Sequence, residues 1–401
     1  MKDLIYSVAL FTNILYFCVS AILGRNMGAD SLVYQFVCIL SFAFSIVFFT
    51  TEYTKMKMTW NDMFLLLGIT VIFLIGYVGG YMGSTMFLCY TAFCIPATCI
   101  GIRYSRKDNM AGIIKWLDIL MLVITFSLFF FVRTVSSYYE AGDYSQRYSY
   151  LAAFAFNLNL FLSYYGNRYE RFPIFYSKVY KYFCYALLPV YPVIIFLSGG
   201  RGGFITMALG LLLFIVTLEG KKVQRRRILR YAFVAVVAIV ALLPLLRSSS
   251  IGSLFTRNLT RVFSYVTESG LDLSQTAGRN KLYAMCWDLF SESPLTGYGL
   301  FGYGEFLGSF PYAHNLFLEW LLQGGILYFF FWLALLIIAC IKIWRLIKAD
   351  NRFIMLLPIV AYPLTQLMFS SSYLEEPLFW FFIAFSLTAN IPRITANAKK
   401  E

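Results

Sequence analysis

The sequence predicts an all-α polytopic membrane protein with about 12 transmembrane helices and a helical exterior cap between spans 9 and 10. Three observations carry that prediction. The chain is 60% hydrophobic and only 13% charged, too little charge to keep the surface of a soluble domain of this length solvated. Its apolar runs repeatedly reach about 20 residues, the length a helix needs to cross the hydrocarbon core. One connection, 247–312, is 66 residues long, far beyond an ordinary loop, and connections of that length are functional or disordered.

Hydropathy places the spans at 4–24, 31–50, 62–81, 83–102, 112–133, 148–166, 180–199, 203–219, 229–246, 313–341, 353–371 and 375–391. The start, "MKDLIYSVALF", has no small-residue cleavage site, so the first span reads as retained. The chain then divides into residues 1–246 with nine spans, the cap at 247–312, and residues 313–401 with three spans and a tail. Seven of the eight cysteines fall within spans and Cys286 reads as a small buried hydrophobe, so no disulfide framework is implied. With one histidine in the chain, the usual multi-histidine metal clusters are excluded, and no metal or other cofactor is expected.

Lysine and arginine placement orients the spans. With both termini cytoplasmic, 24 of the 33 basic residues fall inside, including six in "KKVQRRRILR". The net charge of +13 therefore reads as topology marking against anionic lipid, with no nucleic-acid face. Nine basic residues remain outside, and eight of them are arginine, whose planar fork suits phosphate oxygens. Arg25, Arg133 and Arg147 read as headgroup contacts. Arg201, Arg257, Arg261, Arg247, Arg279 and Lys281 lie in or beside the cap.

The cap reads as folded. Phe255, Leu259, Val262 and Val266 form one helical apolar stripe, with Arg257 and Arg261 on another face; Leu282, Met285, Cys286 and Leu289 form a second. Five basic residues balance five acidic ones there, so an anion site depends on particular arginines. "SPLTGYGLFGYG" supplies a proline and glycine turn. Two helix starts frame the same outer space. "LSGGRGGFITMALG" sets Arg201 between glycine pairs that let backbone N–H groups approach a ligand, although a short loop explains them as well. "SFPYAHNLFLEWLLQGG" opens span 10 with His314 and Asn315, and Gly324-Gly325 suggests a half-helix that breaks before the full span. His314 is either a site residue or a plain helix cap.

Taken in order, "SGGRGG", "GRNKLYAMCWDLFSESPLTGYG" and "AHNLFLEWLLQGG" resemble the bacterial O-antigen polymerase and O-antigen ligase superfamily, membrane-embedded glycosyltransferases of the C-type class. The motifs cover about residues 195–345; the N-terminal half matches in span count and spacing only. The resemblance implies a bacterial plasma-membrane enzyme acting at the exterior face on a polyprenyl-diphosphate-linked oligosaccharide. Its partners would be that substrate, membrane lipids and a chain-length regulator. It also implies that Arg201 and Arg279 contact the lipid diphosphate and that His314 stands at the reaction centre. One departure is Ser-Gly-Gly-Arg before Arg201, where a second serine is common in the family.

Those residue types suit the chemistry. Two fixed arginines favour the charge that develops on a leaving diphosphate, each by about 2–4 kcal/mol, and a neutral histidine accepts the proton of an attacking hydroxyl. Tyr298, Tyr303, Glu305, Tyr312, Asn315 and Glu319 are sugar-binding candidates that sequence does not rank, and Glu305 and Glu319 are alternative bases. Three functions are open. They are a polymerase of repeat units for O-antigen, capsule or exopolysaccharide; a ligase onto lipid A core or another acceptor; and a non-enzymatic exporter of the same glycan. The third fits least, because no internal repeat is visible and most charges sit at span ends.

Overall fold

The computed structural model describes residues 2–24, 32–54, 58–107, 110–140, 146–166, 171–218, 266–267, 270–271, 279–308, 310 and 312–390. Helices dominate: α1 (Lys2–Leu10), α2 (Thr12–Leu23), α3 (Leu32–Tyr53), α4 (Trp60–Val78), α5 (Thr85–Cys89), α6 (Ile95–Lys107), α7 (Met110–Glu140), α8 (Gln146–Tyr165), α9 (Lys178–Leu187), α10 (Val190–Ser198), α11 (Arg201–Thr217), α12 (Arg279–Glu292), α13 (Leu316–Ala349), α14 (Leu356–Phe369) and α15 (Pro377–Thr388). A π-turn, Tyr90–Cys94, joins α5 to α6 just before Pro96, whose missing N–H disrupts the regular ladder. Among the described residues the only extended pairing is Val266–Thr267 against Gly270–Leu271.

Six helical stretches are long and apolar enough to cross a membrane, or seven if α1 and α2, bent by 70°, are one span. They match the expected spans at 62–81, 83–102, 112–133, 180–199, 313–341 and 353–371, and the bent pair matches 4–24. The segments expected at 203–219 and 375–391 are the shorter helices α11, 17 residues, and α15, 12 residues. The expected span 229–246 lies outside the described residues.

Two helices form the centre. All of α15 is buried, and α8 is buried over most of its length, packed against α7, α10, α11 and α14. Burial on every side lets α8 carry asparagines where lipid would forbid them. Asn157 donates to the Thr206 carbonyl at 3.0 Å and Asn159 to the Cys184 carbonyl at 2.7 Å. One end of the bundle is tied by polar contacts. Asn61 donates to the Leu387 carbonyl, Ser105 meets Thr388, Arg106 pairs with Asp62, and Arg171 donates through Nε to buried Asp118 at 2.6 Å.

At the opposite end lies the described part of the expected cap, α12 and residues 293–308. Leu282, Cys286 and Leu289 of α12 close on Tyr303, Leu307, Ala313 and Leu322, an apolar cluster separate from the main core. The second expected stripe is therefore a buried helix face. The first lies outside the described residues except at Val266, which is extended and opposite Leu271 rather than helical.

The cap is locked to α13 through the backbone. Gly325 has φ 69° and ψ −166°, which breaks α13 into a half-helix and a span of 24 residues, Ile326–Ala349, about 36 Å long. The break orphans the carbonyls of Leu322 and Gln323 and the N–H of Ile326. The turn 294–299 supplies all three partners: Tyr298 N–H donates to Leu322 at 2.7 Å, Gly299 N–H to Gln323 at 3.0 Å, and Ile326 N–H to Pro294 at 2.9 Å. A Cβ on Gly297 would stand 2.6 Å from the Leu322 carbonyl oxygen, and one on Gly325 would stand 2.3 Å from the Leu295 carbonyl. The "PLTGYG" run is thus a plug shaped for the break. Gly325→Ala should lower stability by about 1–3 kcal/mol and loosen the cap, read as a lower unfolding temperature in detergent and faster protease cleavage within 279–308. An unchanged unfolding temperature and cleavage rate would contradict the plug.

Candidate functional site

Four segments supply the candidate residues at this end: the turn 312–315 leading into α13, the start of α12, and the starts of α8 and α11. Asn315 caps α13, its Oδ1 accepting from Phe317 N–H at 3.0 Å and Leu318 N–H at 3.2 Å. That is a structural role, worth about 1 kcal/mol. His314 precedes it with φ 51°, a left-handed conformation costly for a residue with a Cβ and common where function fixes geometry. Tyr283 donates to the His314 carbonyl at 3.5 Å and also reaches the Asn315 side chain, so α12 holds both residues of the turn. Tyr312 packs on the imidazole with ring centroids 4.4 Å apart, and its hydroxyl donates to the Ser370 carbonyl at 2.8 Å.

The imidazole is held neutral. Burial first, and the positive charge of Arg279 second, lower the His314 pKa from 6.5 to about 4. Its Nδ1 is buried with no hydrogen-bond partner among the described residues, an orphan that asks for an explanation. Arg279 is half-buried in the first turn of α12, four residues before Tyr283. Its charge reaches both Tyr283 and His314. The structure therefore brings Arg279 and His314 together.

Arg201 comes from another direction. Gly199, at φ 69°, ends α10, and Arg201 begins α11. The glycines around it serve packing, which differs from the expected ligand approach. A Cβ on Gly200 would meet Ser149 Oγ at 2.1 Å, one on Gly202 the Tyr150 hydroxyl at 1.9 Å, and one on Gly203 the Ser149 carbonyl oxygen at 2.6 Å. They let α11 lie against α8 at backbone distance. Arg201 itself is half-buried and engaged in interactions. Tyr150, against Gly202, also acts electrostatically on Tyr312. Thr206 bonds Thr365 at 2.6 Å, five residues from Arg201 and from Ser370 respectively. This bond ties α11 to α14.

The remaining candidates divide. Tyr298 donates to the Leu289 carbonyl at 2.9 Å and Glu292 at 3.1 Å, bracing the plug. Tyr303 is buried beside Glu319 and Gln323. Glu319 is 1% exposed and accepts from Ser372 at 2.5 Å and Gln323 at 3.3 Å; Gln323 in turn accepts from Tyr373, which meets Tyr328. This network ties α13 to the turn 370–376. Glu305 is exposed, and Arg257 and Arg261 lie outside the described residues. Sequence reasoning missed Tyr283, which the four-residue spacing from Arg279 could have flagged. Among the described residues no group of three or more His, Cys, Asp or Glu could hold a metal ion.

A cation beside a neutral imidazole can stabilise a developing anion and take up a proton in one site. A family model described as O-antigen ligase matches residues 184–333, a segment holding Arg201, Arg279 and His314 together with the plug. No curated protein matches the chain.

The lowered histidine pKa has a sign. Native His314 stays neutral where the unfolded chain would protonate, so the unfolded state binds more protons between pH 6.5 and about 4. Its contribution to stability is complete above pH 6.5 and is lost as pH falls toward 4. Unfolding temperature should therefore drop more from pH 7 to pH 5 in the wild type than in His314→Gln. Equal drops would contradict a neutral, buried imidazole.

Proposed function

We propose that the chain is a polymerase of polyprenyl-diphosphate-linked oligosaccharide repeat units, a reading supported by the match of residues 184–333 to a family model described as O-antigen ligase. In this reading the protein is a bacterial plasma-membrane enzyme of about 12 spans, with cytoplasmic termini and its site at the exterior leaflet. The observation that supports it best is the neutral His314 beside Arg279.

The donor's diphosphate lies between Arg279 and Arg201. A sugar hydroxyl of the acceptor attacks C1 of the donor's first sugar from the face opposite the diphosphate. The new C1–O bond forms as the old one breaks, the bonding pair leaves with the diphosphate, and the configuration inverts. The hydroxyl proton passes to an imidazole nitrogen of His314, available because the ring is neutral at pH 7. The two guanidiniums meet the extra charge on the leaving diphosphate. We favour His314 over Glu319 as base, since Glu319 is 1% exposed and its Oε1 accepts from Ser372 and Gln323.

His314→Ala should reduce glycan ladders by about 10²–10⁴ while the protein still inserts and keeps its unfolding temperature at pH 7. Arg279→Gln should reduce them by a comparable factor, and Arg279→Lys by less, because a lysine keeps the charge without the fork. Purified protein given lipid-linked repeats alone should build ladders. Product that appears only when a lipid A core acceptor is added identifies a ligase instead, and wild-type ladders from His314→Ala exclude the base.

A further inference from the structure

The backbone of the His314 turn is held on both sides. Ala313 is fully buried in the apolar cluster of the cap with Leu282, Cys286 and Leu322, and Asn315 is fixed as the cap of α13. Tyr283 donates to the His314 carbonyl between them at 3.5 Å. A residue with a Cβ keeps φ 51° only where its neighbours over-determine the turn, and these contacts do so. The imidazole needs a separate support. No described residue bonds its Nδ1, and its plane is set by aromatic contact. Tyr312 packs on the ring with centroids 4.4 Å apart, and Phe310 stands edge-on at 6.4 Å and 88°.

Tyr312 can steady a ring because it is itself fixed at its far end, where its hydroxyl donates to the Ser370 carbonyl at 2.8 Å. That acceptor belongs to a rigid turn. Ser370 N–H donates to the Gln366 carbonyl at 2.7 Å, Glu375 N–H to the Ser372 carbonyl at 3.0 Å, and Trp380 Nε1 to the Tyr373 carbonyl at 2.7 Å. Ser372, fully buried, donates to Glu319 at 2.5 Å. The turn therefore grips the chain on both sides of His314, at Tyr312 before it and at Glu319 after it. A tyrosine hydroxyl has one hydrogen, and here that hydrogen is already given to Ser370.

We infer that Tyr312 is a positioning residue, a strut between the Ser370 carbonyl and the His314 imidazole that holds the ring in the plane needed for proton transfer. This rests on the transferase reading above, and it moves Tyr312 from the sugar-binding candidates to the support of the base. Without the strut the ring samples other rotamers and the reaction waits for the aligned one. Donor binding, which in that reading rests on the arginines, is kept.

The chain has one histidine, so full-length protein carrying isotope-labelled histidine, purified without a histidine tag, reports His314 alone by NMR. In lipid nanodiscs the wild type should give one set of imidazole resonances, displaced from those of free histidine by the ring current of Tyr312. Tyr312→Phe keeps the ring and removes the tether. It should shift or split that set and lower kcat on lipid-linked repeats about tenfold, with donor KM held within about twofold. Tyr312→Leu removes the ring as well and should lower kcat about 10²-fold. The inference is overturned if Tyr312→Phe leaves either the resonances or kcat at the wild-type value; a kept kcat with a raised donor KM marks a substrate contact instead. Should Tyr312→Phe fail to fold, the wild type decides, because imidazole resonances at free-histidine positions rule out the strut. Wild-type protein that builds no ladders removes the transferase reading, and the resonances of Tyr312→Phe still decide whether Tyr312 holds the ring.

Discussion

The site depends on an exchange of backbone hydrogen bonds at the break in α13. A helix interrupted within a membrane protein must find new partners for its freed groups or lose several kcal/mol for each one. Here the turn 294–299 provides them, with two N–H groups for the carbonyls of Leu322 and Gln323 and one carbonyl for Ile326. The cap and the half-helix behind His314 are therefore one unit in hydrogen-bonding terms. Arg279 reaches the imidazole because α12 belongs to the cap and the cap is plugged into the helix that His314 precedes.

The electrostatics follow from that geometry. Burial and a neighbouring cation act in the same direction on His314, so the ring carries no charge at neutral pH, when its lone pair is free. Among the described residues no carboxylate pairs with that cation. The chain Glu319–Gln323–Tyr373–Tyr328 fixes α13 against the turn 370–376, whose Ser370 carbonyl holds the Tyr312 hydroxyl.

Much of this was legible in the chain itself. Composition and run length determined a helical membrane protein, because lipid accepts only segments that satisfy their own backbone and present apolar side chains. The glycine pair at 324–325 announced the break, since positive φ there favours a residue without Cβ, and the stripe Leu282, Cys286 and Leu289 announced the buried face of α12. Arg201, Arg279 and His314 were marked by the resemblance of the motif order to a known family, and the starts at Arg201 and His314 also by their flanking residues. Tertiary structure alone decided what the marks were for. The glycines around Arg201 serve contact with Ser149 and Tyr150, Asn315 and Tyr298 are braces, and Tyr312 and Ser370, 58 positions apart in the chain, share a hydrogen bond. A sequence records how each residue suits its own helix or turn, but charge and hydrogen-bond pairing act across space, and only the packed bundle sets which distant residues lie within their few-ångström reach.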